Sequence, residues 1–444
     1  MDDPFGNEGR RHMRTPPQTN PFVNSAAQSG WSTGRGRGGG GGLFDLSGAR
    51  RSTPGNDPFG GSSIAGFVDR EQQLQRVRTF FSDEVGFKTE MATVTTSGML
   101  LRVTEMANSE QVLRRLVVKA SFPEVRGAVA RERDWVYHLR FARHIVKWLS
   151  LSPDLMAPRP GNEGFRMPYF FVEYLESGTL GQFQKRIENV ATLRLTSRLE
   201  IPFLLPNRLL WSIFLCLIRA CVAMAWPPEG PDVVFEVPTQ SEPWTLAHMD
   251  MHNNNVMFGN IDDNEAEHRV MPVVKLIDLG EALERPVGES RFPPDQYGIE
   301  GYDNVLLLAT HRPNTGRRNQ GIDKNLLDVG VLMANLVSNT QGFVITCRRN
   351  ITDTNIHPYL DKDLRVLIQR CLAVDPENRP RLEELIELVG QDNSPFFRDE
   401  DYYRRNKRPE EAGVFDPAEE LETDDALKVI VQMYILNADT NSFP

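Results

Sequence analysis

No CxxC pair occurs in this chain, and only four cysteines are spread through its 444 residues. Cys216, Cys221, Cys347 and Cys371 show no metal-ligand spacing and three of them sit in apolar runs, so they are expected as small core residues in a reducing compartment. The amino terminus, Met1 to Arg11, lacks an apolar stretch, and no secretory signal is expected. An excess of positive charge is also missing: 60 Asp and Glu outnumber 50 Lys and Arg, which gives no reason to expect nucleic-acid binding. Long hydrophobic runs are scarce. The one long enough to consider for a bilayer, Leu209 to Trp226, carries Arg219 near its middle, at a cost of about 2.5–3.5 kcal/mol on insertion scales. A buried helix is therefore expected there, with no membrane span, in an intracellular protein of the cytoplasm or nucleus.

What is present is an ordinary globular composition, 40% hydrophobic and 25% charged, with length enough for two lobes and tails. Residues 1–66 are rich in Gly, Pro, Ser, Asn and Arg, including the run from Gly34 to Gly42, and are expected to be disordered because they offer little apolar surface to offset chain ordering. Residues 391–444 form an acidic tail with 13 acidic against 6 basic side chains, of which Ala426 to Leu436 reads as an amphipathic helix that packs on the body or recruits a partner.

Between the tails, folding is expected to begin near Phe67. Thr93–Thr96, Leu100–Thr104 and Leu116–Ala120 read as strands, and Ala128–Arg140 as a helix with Val129, Trp135, Val136 and Leu139 on its apolar side. Tyr169–Leu175 is a further β-rich run closed by Glu176-Ser177-Gly178. Helical periodicity then dominates, at Asn207–Trp226, Asn325–Val337, Asp361–Ala373 and Pro380–Val389. Strands first and helices later predict an α+β body. Pro153–Arg166, Pro227–Pro243, Asn260–His268 and Glu284–Gly321 read as surface insertions, and no internal repeat is present.

The chemistry-bearing stretch is His248 to Gly280. Asp250 precedes Asn255 by five residues, and the apolar run Pro272–Ile277 leads into Asp278-Leu279-Gly280. Two carboxylates and an amide in that order suit phosphoryl transfer: Asp250 to accept or orient a hydroxyl proton, Asn255 and Asp278 to ligate Mg²⁺, and Gly280 to let the backbone turn sharply after the metal ligand.

With these residues the chain resembles the eukaryotic protein-kinase-like superfamily from about Phe67 to Val389. The resemblance implies a two-lobed fold, a β-rich N-lobe over about residues 67–172 and a helical C-lobe over about 176–390, using ATP and Mg²⁺. In the phosphate-covering segment Thr96–Val103 only Gly98 and Val103 match. Lys119, in an apolar strand where an unpaired ammonium would be costly, would hold phosphates and pair with Glu132 on the following helix. Phe171–Leu180 resembles the interlobe linker, with Val172 at the back of the nucleotide pocket and Glu173 to Leu175 at the adenine edge. His252 stands where many such enzymes carry lysine, so it would supply one hydrogen bond and less charge, as in small-molecule phosphotransferases.

Other positions depart from the pattern. Met249 replaces the arginine that pairs with a phosphorylated activation loop, so any activity is expected not to depend on loop phosphorylation. Asn325 replaces the Asp that anchors the catalytic loop. Arg379, in Cys371–Pro380, matches the arginine whose glutamate partner closes the activation segment, and Glu300 is the candidate partner. The expected activity is transfer of the ATP γ-phosphate to a protein Ser or Thr. A pseudokinase scaffold is the first alternative, given the thin glycine loop, Met249 and His252, and a small-molecule phosphotransferase is the second. Asp3-Pro4-Phe5, Asn20-Pro21-Phe22 and Asp57-Pro58-Phe59 resemble adaptor-docking tripeptides whose repetition would add avidity.

Overall fold

The computed structural model describes residues 63–82, 86–95, 98–107, 111–196, 205–230, 235–285, 319–390, 398–405 and 421–436, all within the unit Gly61–Pro444. The three Pro-Phe tripeptides, the Gly34–Gly42 run and Glu300 lie outside them. The described residues form a mixed α and β protein with a five-stranded antiparallel sheet and ten α-helices.

A helix, α1 (Ser63–Ser82), comes first, before any strand. Its Leu74, Val77, Phe80 and Phe81 recur at helical spacing and are buried against the sheet. Strands β1 (Phe87–Thr95), β2 (Gly98–Met106) and β3 (Val112–Ala120) follow, then α2 (Arg126–His138), β4 (Trp148–Leu149) and β5 (Tyr169–Glu173). The strand order is β1-β2-β3-β5-β4. Period-two alternation gives the sheet two distinct faces. Met99, Leu101, Val103, Leu116, Val118 and Phe171 share the cluster with α1, whereas Phe170 and Val172 turn the other way into the larger core.

The larger core is organised by α4 (Asn207–Ala225), which follows α3 (Leu180–Thr196) and has sixteen of its nineteen residues buried. Among the described residues α4 is long and apolar enough to cross a bilayer, yet it lies inside the protein. Around it are the short pairs β6 (Leu246–Ala247) with β9 (Leu283–Glu284) and β7 (Val256–Phe258) with β8 (Val274–Leu276). Helices α5 (Gln320–Ser338), α6 (Val344–Thr352), α7 (Lys362–Cys371) and α8 (Leu382–Val389) complete it. Gly330 in α5 is required by close approach, because a Cβ there would meet the Leu372 side chain at 2.9 Å. The four cysteines are free and buried.

Two of the expected surface insertions are anchored inward instead. Glu236, from Pro227–Pro243, and His268, from Asn260–His268, are each almost fully buried. The reason is electrostatic: Arg219 on α4 is buried too, and its guanidinium donates to Glu236 O at 2.7 Å and to Glu267 Oε1 at 2.6 Å.

The carboxyl-terminal segment also joins the core. After α9 (Glu400–Arg405) comes α10 (Asp424–Val431), whose Leu427, Ile430 and Val431 are buried, with Ile435 just beyond. Glu422 caps the start of α4, accepting from Asn207 N at 2.6 Å and Arg208 N at 3.0 Å. Burial raises its carboxyl to about 7 against the pull of those backbone donors. The folded state thus keeps a proton that the unfolded chain releases near 4.5, so stability declines as pH rises between those values. Relative to Glu422→Gln, wild type is expected to lose about 3 kcal/mol between about pH 4 and pH 8, read from urea midpoints at several pH values.

Candidate active site

Lys119 is brought to the site by register. It lies opposite Leu100 on β2 and Phe170 on β5, on the sheet face turned away from α1. Its ammonium, almost fully buried, lies 2.6 Å from Glu132 Oε2 on α2 and 2.8 Å from Asp278 Oδ1. The two carboxylates come from positions 146 residues apart (278 − 132) and meet on one cation. Burial opposes the Lys119 charge, but Glu132 and Asp278 together outweigh it and raise its pKa. Burial likewise lifts Glu132 to about 7 in spite of Lys119. At Asp278 burial is overcome by Lys119, which holds the carboxyl below the ordinary carboxylate range. One ammonium between two carboxylates leaves the ionised group one negative charge in excess.

Asp278 directs its side chain through an unusual backbone, φ 60° and ψ 73°, in the left-handed region. The sharp turn expected from Gly280 is therefore made by Asp278 itself. Gly280 serves a different need: a Cβ there would stand 3.2 Å from Asp278 Oδ1 and 3.7 Å from Glu132 Oε2, so its absence makes room for the two carboxylates.

The loop from His248 to Asn255 is held beside this triad by main-chain bonds. Ile277 N donates to Asn255 O at 3.0 Å, and β7 and β8 pair immediately afterwards, Val256 opposite Leu276. His248 is fully buried; its Nε2 meets Ile277 O at 3.0 Å, and Asp250 N approaches its Nδ1 at 3.4 Å. That pattern requires the neutral tautomer protonated on Nε2, and burial pushes the His248 pKa down accordingly. Asn325 completes the support as the sequence suggests, accepting from His248 N at 3.0 Å and donating to Leu246 O at 2.9 Å.

Within the loop, Asn255 Nδ2 donates to Asp250 O at 2.9 Å and to Asp250 Oδ2 at 3.0 Å. His252 Nε2 lies 3.5 Å from the same Oδ2, with both side chains about half exposed. Met249 takes φ 67°, and Arg285 Nη2 sits 3.5 Å from its sulfur. Asp250, His252 and Asn255 form one cluster and Lys119, Glu132 and Asp278 another, joined through the backbone at Asn255 and Ile277.

Other expected residues fall differently. Val103 opposes Leu116 and is buried beneath α1, on the face opposite Lys119. A one-residue offset reverses a strand side chain, so Leu100 and Arg102 share the Lys119 face in its place. Arg102 reaches Glu90 at 2.6 Å and the Tyr174 hydroxyl at 2.6 Å. Gly98 opens β2 at φ 150°, where a Cβ would stand 2.5 Å from Ala120 O; close backbone approach within the sheet explains it. Thr96 and Ser97 lie outside the described residues. Glu173 has its N–H committed to Lys147 O at 3.0 Å and its carboxylate to Lys147 N at 2.8 Å and Lys275 Nζ at 2.5 Å. Leu175 is buried beside Gly259. Arg379 is buried and donates to Asp323 O at 2.8 Å and to Ala373 O at 3.0 Å.

The site suits a divalent cation and an anionic ligand. Asp278 keeps 38% of its side chain exposed and the triad carries surplus negative charge, while among the described residues Lys119 supplies an ammonium aimed into the group. A scan of the chain against protein-family models finds no match, and a search among curated proteins finds no significant relative.

Proposed function

We propose that this chain is a Mg-ATP-dependent phosphotransferase of the protein-kinase-like type, with the sheet and α2 as its smaller lobe and α3 to α8 as its larger one. The observation that carries this reading is Lys119 bridging Glu132 at 2.6 Å and Asp278 at 2.8 Å. A lysine buried in a sheet requires anionic partners, but a merely structural need is met by one. The second carboxylate, partly open to solvent and set by a left-handed residue, is explained by a metal–phosphate ligand.

Mg-ATP would supply the transferable phosphoryl group and the divalent charge; Asp278 and Asn255 would hold the metal and Lys119 the phosphates. Glu132 orients Lys119. Asp250, half exposed and hydrogen-bonded to Asn255, would receive the acceptor hydroxyl and take or direct its proton. His252 beside it would contribute one hydrogen bond. A protein hydroxyl, Ser or Thr, is the proposed acceptor.

The pseudokinase reading rests on a specific observation: Asn255 Nδ2 and His252 both engage Asp250 Oδ2. That arrangement would also serve a loop that only binds nucleotide. Incubating the full chain with Mg²⁺ and γ-labelled ATP, with protein and small-molecule acceptors in parallel, tests the proposal. Label on protein serine or threonine is expected. Nucleotide binding without transfer to any acceptor would favour the scaffold, and label on metabolites alone would favour a small-molecule phosphotransferase.

A further inference from the structure

We propose that His144, Cys216 and His268 form a buried zinc site, separate from the Lys119 group, which ties two insertions to the central helix. The three donors come from the loop after α2, from α4 and from Asn260–His268, and their ligand atoms all lie within 4.8 Å of one another. All three residues are almost fully buried. The two imidazoles meet tip to tip, with His144 Nε2 and His268 Nε2 separated by 3.3 Å. Two nitrogens each about 2.0–2.1 Å from a tetrahedral zinc stand about 3.3 Å apart, so the rings are spaced for an ion between them.

The surroundings fit a metal ligand set. Glu236, from the other insertion, accepts from His144 through Nδ1 at 2.8 Å, which fixes that ring with Nε2 turned toward His268 and Cys216. A carboxylate on the far nitrogen is the usual support for a metal-binding histidine. Cys216 loses its thiol proton to solvent on binding, and Zn²⁺ with one thiolate and the Glu236 carboxylate sums to zero charge. Three protein donors hold the ion and one coordination position stays open. The buried His268 Nδ1 has no hydrogen-bond partner among the described residues, so Nε2, 3.3 Å from His144 Nε2, is the ring's polar link. The metal-free alternative is an imidazolium at His144 donating to His268 Nε2. In that alternative Cys216 is no more than a weak hydrogen-bond partner of His144.

Zinc content of the purified full-length protein, dialysed against metal-free buffer and measured by plasma mass spectrometry, tests this directly. About one zinc per chain is expected in wild type, falling about tenfold or more in Cys216→Ser and in His268→Gln. Asp278→Ala and Cys371→Ser should keep the metal, which separates this site from the nucleotide site and from the other cysteines. Cobalt substitution of wild type should give a thiolate-to-cobalt charge-transfer band that Cys216→Ser lacks. Wild-type protein without stoichiometric zinc and without that band would overturn the proposal. Full zinc retention by folded Cys216→Ser would do so as well.

Discussion

Asp278→Ala is expected to abolish Mg²⁺-dependent nucleotide binding and to lower phosphoryl transfer by about 10²–10³-fold or more, whereas Asp250→Ala keeps nucleotide binding and loses about 10²–10⁴-fold in turnover alone. The contrast follows from where the two carboxylates sit. Asp278 touches Lys119 and shares the group with Glu132, so its removal unbalances the cation site and frees the ammonium on one side. Asp250 is held by Asn255 within the loop and has no contact with Lys119 in the ion pairs of the site. Fluorescent-nucleotide titration beside single-turnover transfer separates the two effects. Equal loss of nucleotide affinity in both variants would mean that the two clusters act as a single binding unit.

Lys119→Met is expected to remove nucleotide binding and also to destabilise the fold by about 3 kcal/mol at pH 8. Methionine fills the stem's volume but leaves Glu132 buried and uncompensated. Burial already lifts Glu132 to about 7, and losing the ammonium raises it further, so the variant escapes part of the penalty by binding a proton. In the variant the folded state holds that proton more tightly than the unfolded chain does. Its deficit should therefore shrink toward low pH and grow as pH rises through neutrality. Adding Glu132→Gln to Lys119→Met should restore most of the stability without restoring nucleotide binding. Urea denaturation across pH measures the first, and nucleotide titration the second. A pH-independent deficit in the single variant would contradict the buried-pair account.

The parts of this structure that could be read from the sequence were those with strong local period or strong local chemistry. The apolar runs of β2, β3 and β5 and the helices α2, α4, α5, α7 and α8 all carry a clear repeat, and each lies where the repeat falls. Helix α1 has the same kind of signal at Leu74, Val77 and Phe81, but it is diluted by the polar run from Asp69 to Gln73, and no helix is expected there from the sequence. Val103 shows the limit of motif matching in a strand. Its spacing to Lys119 fits the family pattern, yet pairing opposite Leu116 turns it to the wrong face.

The buried polar groups were the hardest to foresee. Glu236 and His268 stand in proline- and acid-rich segments that look solvated, and only the distant Arg219, His144 and Cys216 make their burial favourable. Contacts across 17 to 124 residues leave no trace in local spacing. By contrast, Asp250, Asn255 and Asp278 were legible because a polar loop and the β7–β8 pairing bring them close through short stretches of chain.

The central claim is that Lys119, Glu132 and Asp278 converge in order to hold a divalent cation and a nucleotide. Isothermal titration of the full-length wild-type chain with ATP, in Mg²⁺ and again in EDTA, tests it most directly. The account predicts saturable binding at one site per chain in Mg²⁺, at least about tenfold weaker without the metal. Absence of ATP binding under both conditions, in protein that is folded by circular dichroism, would contradict it.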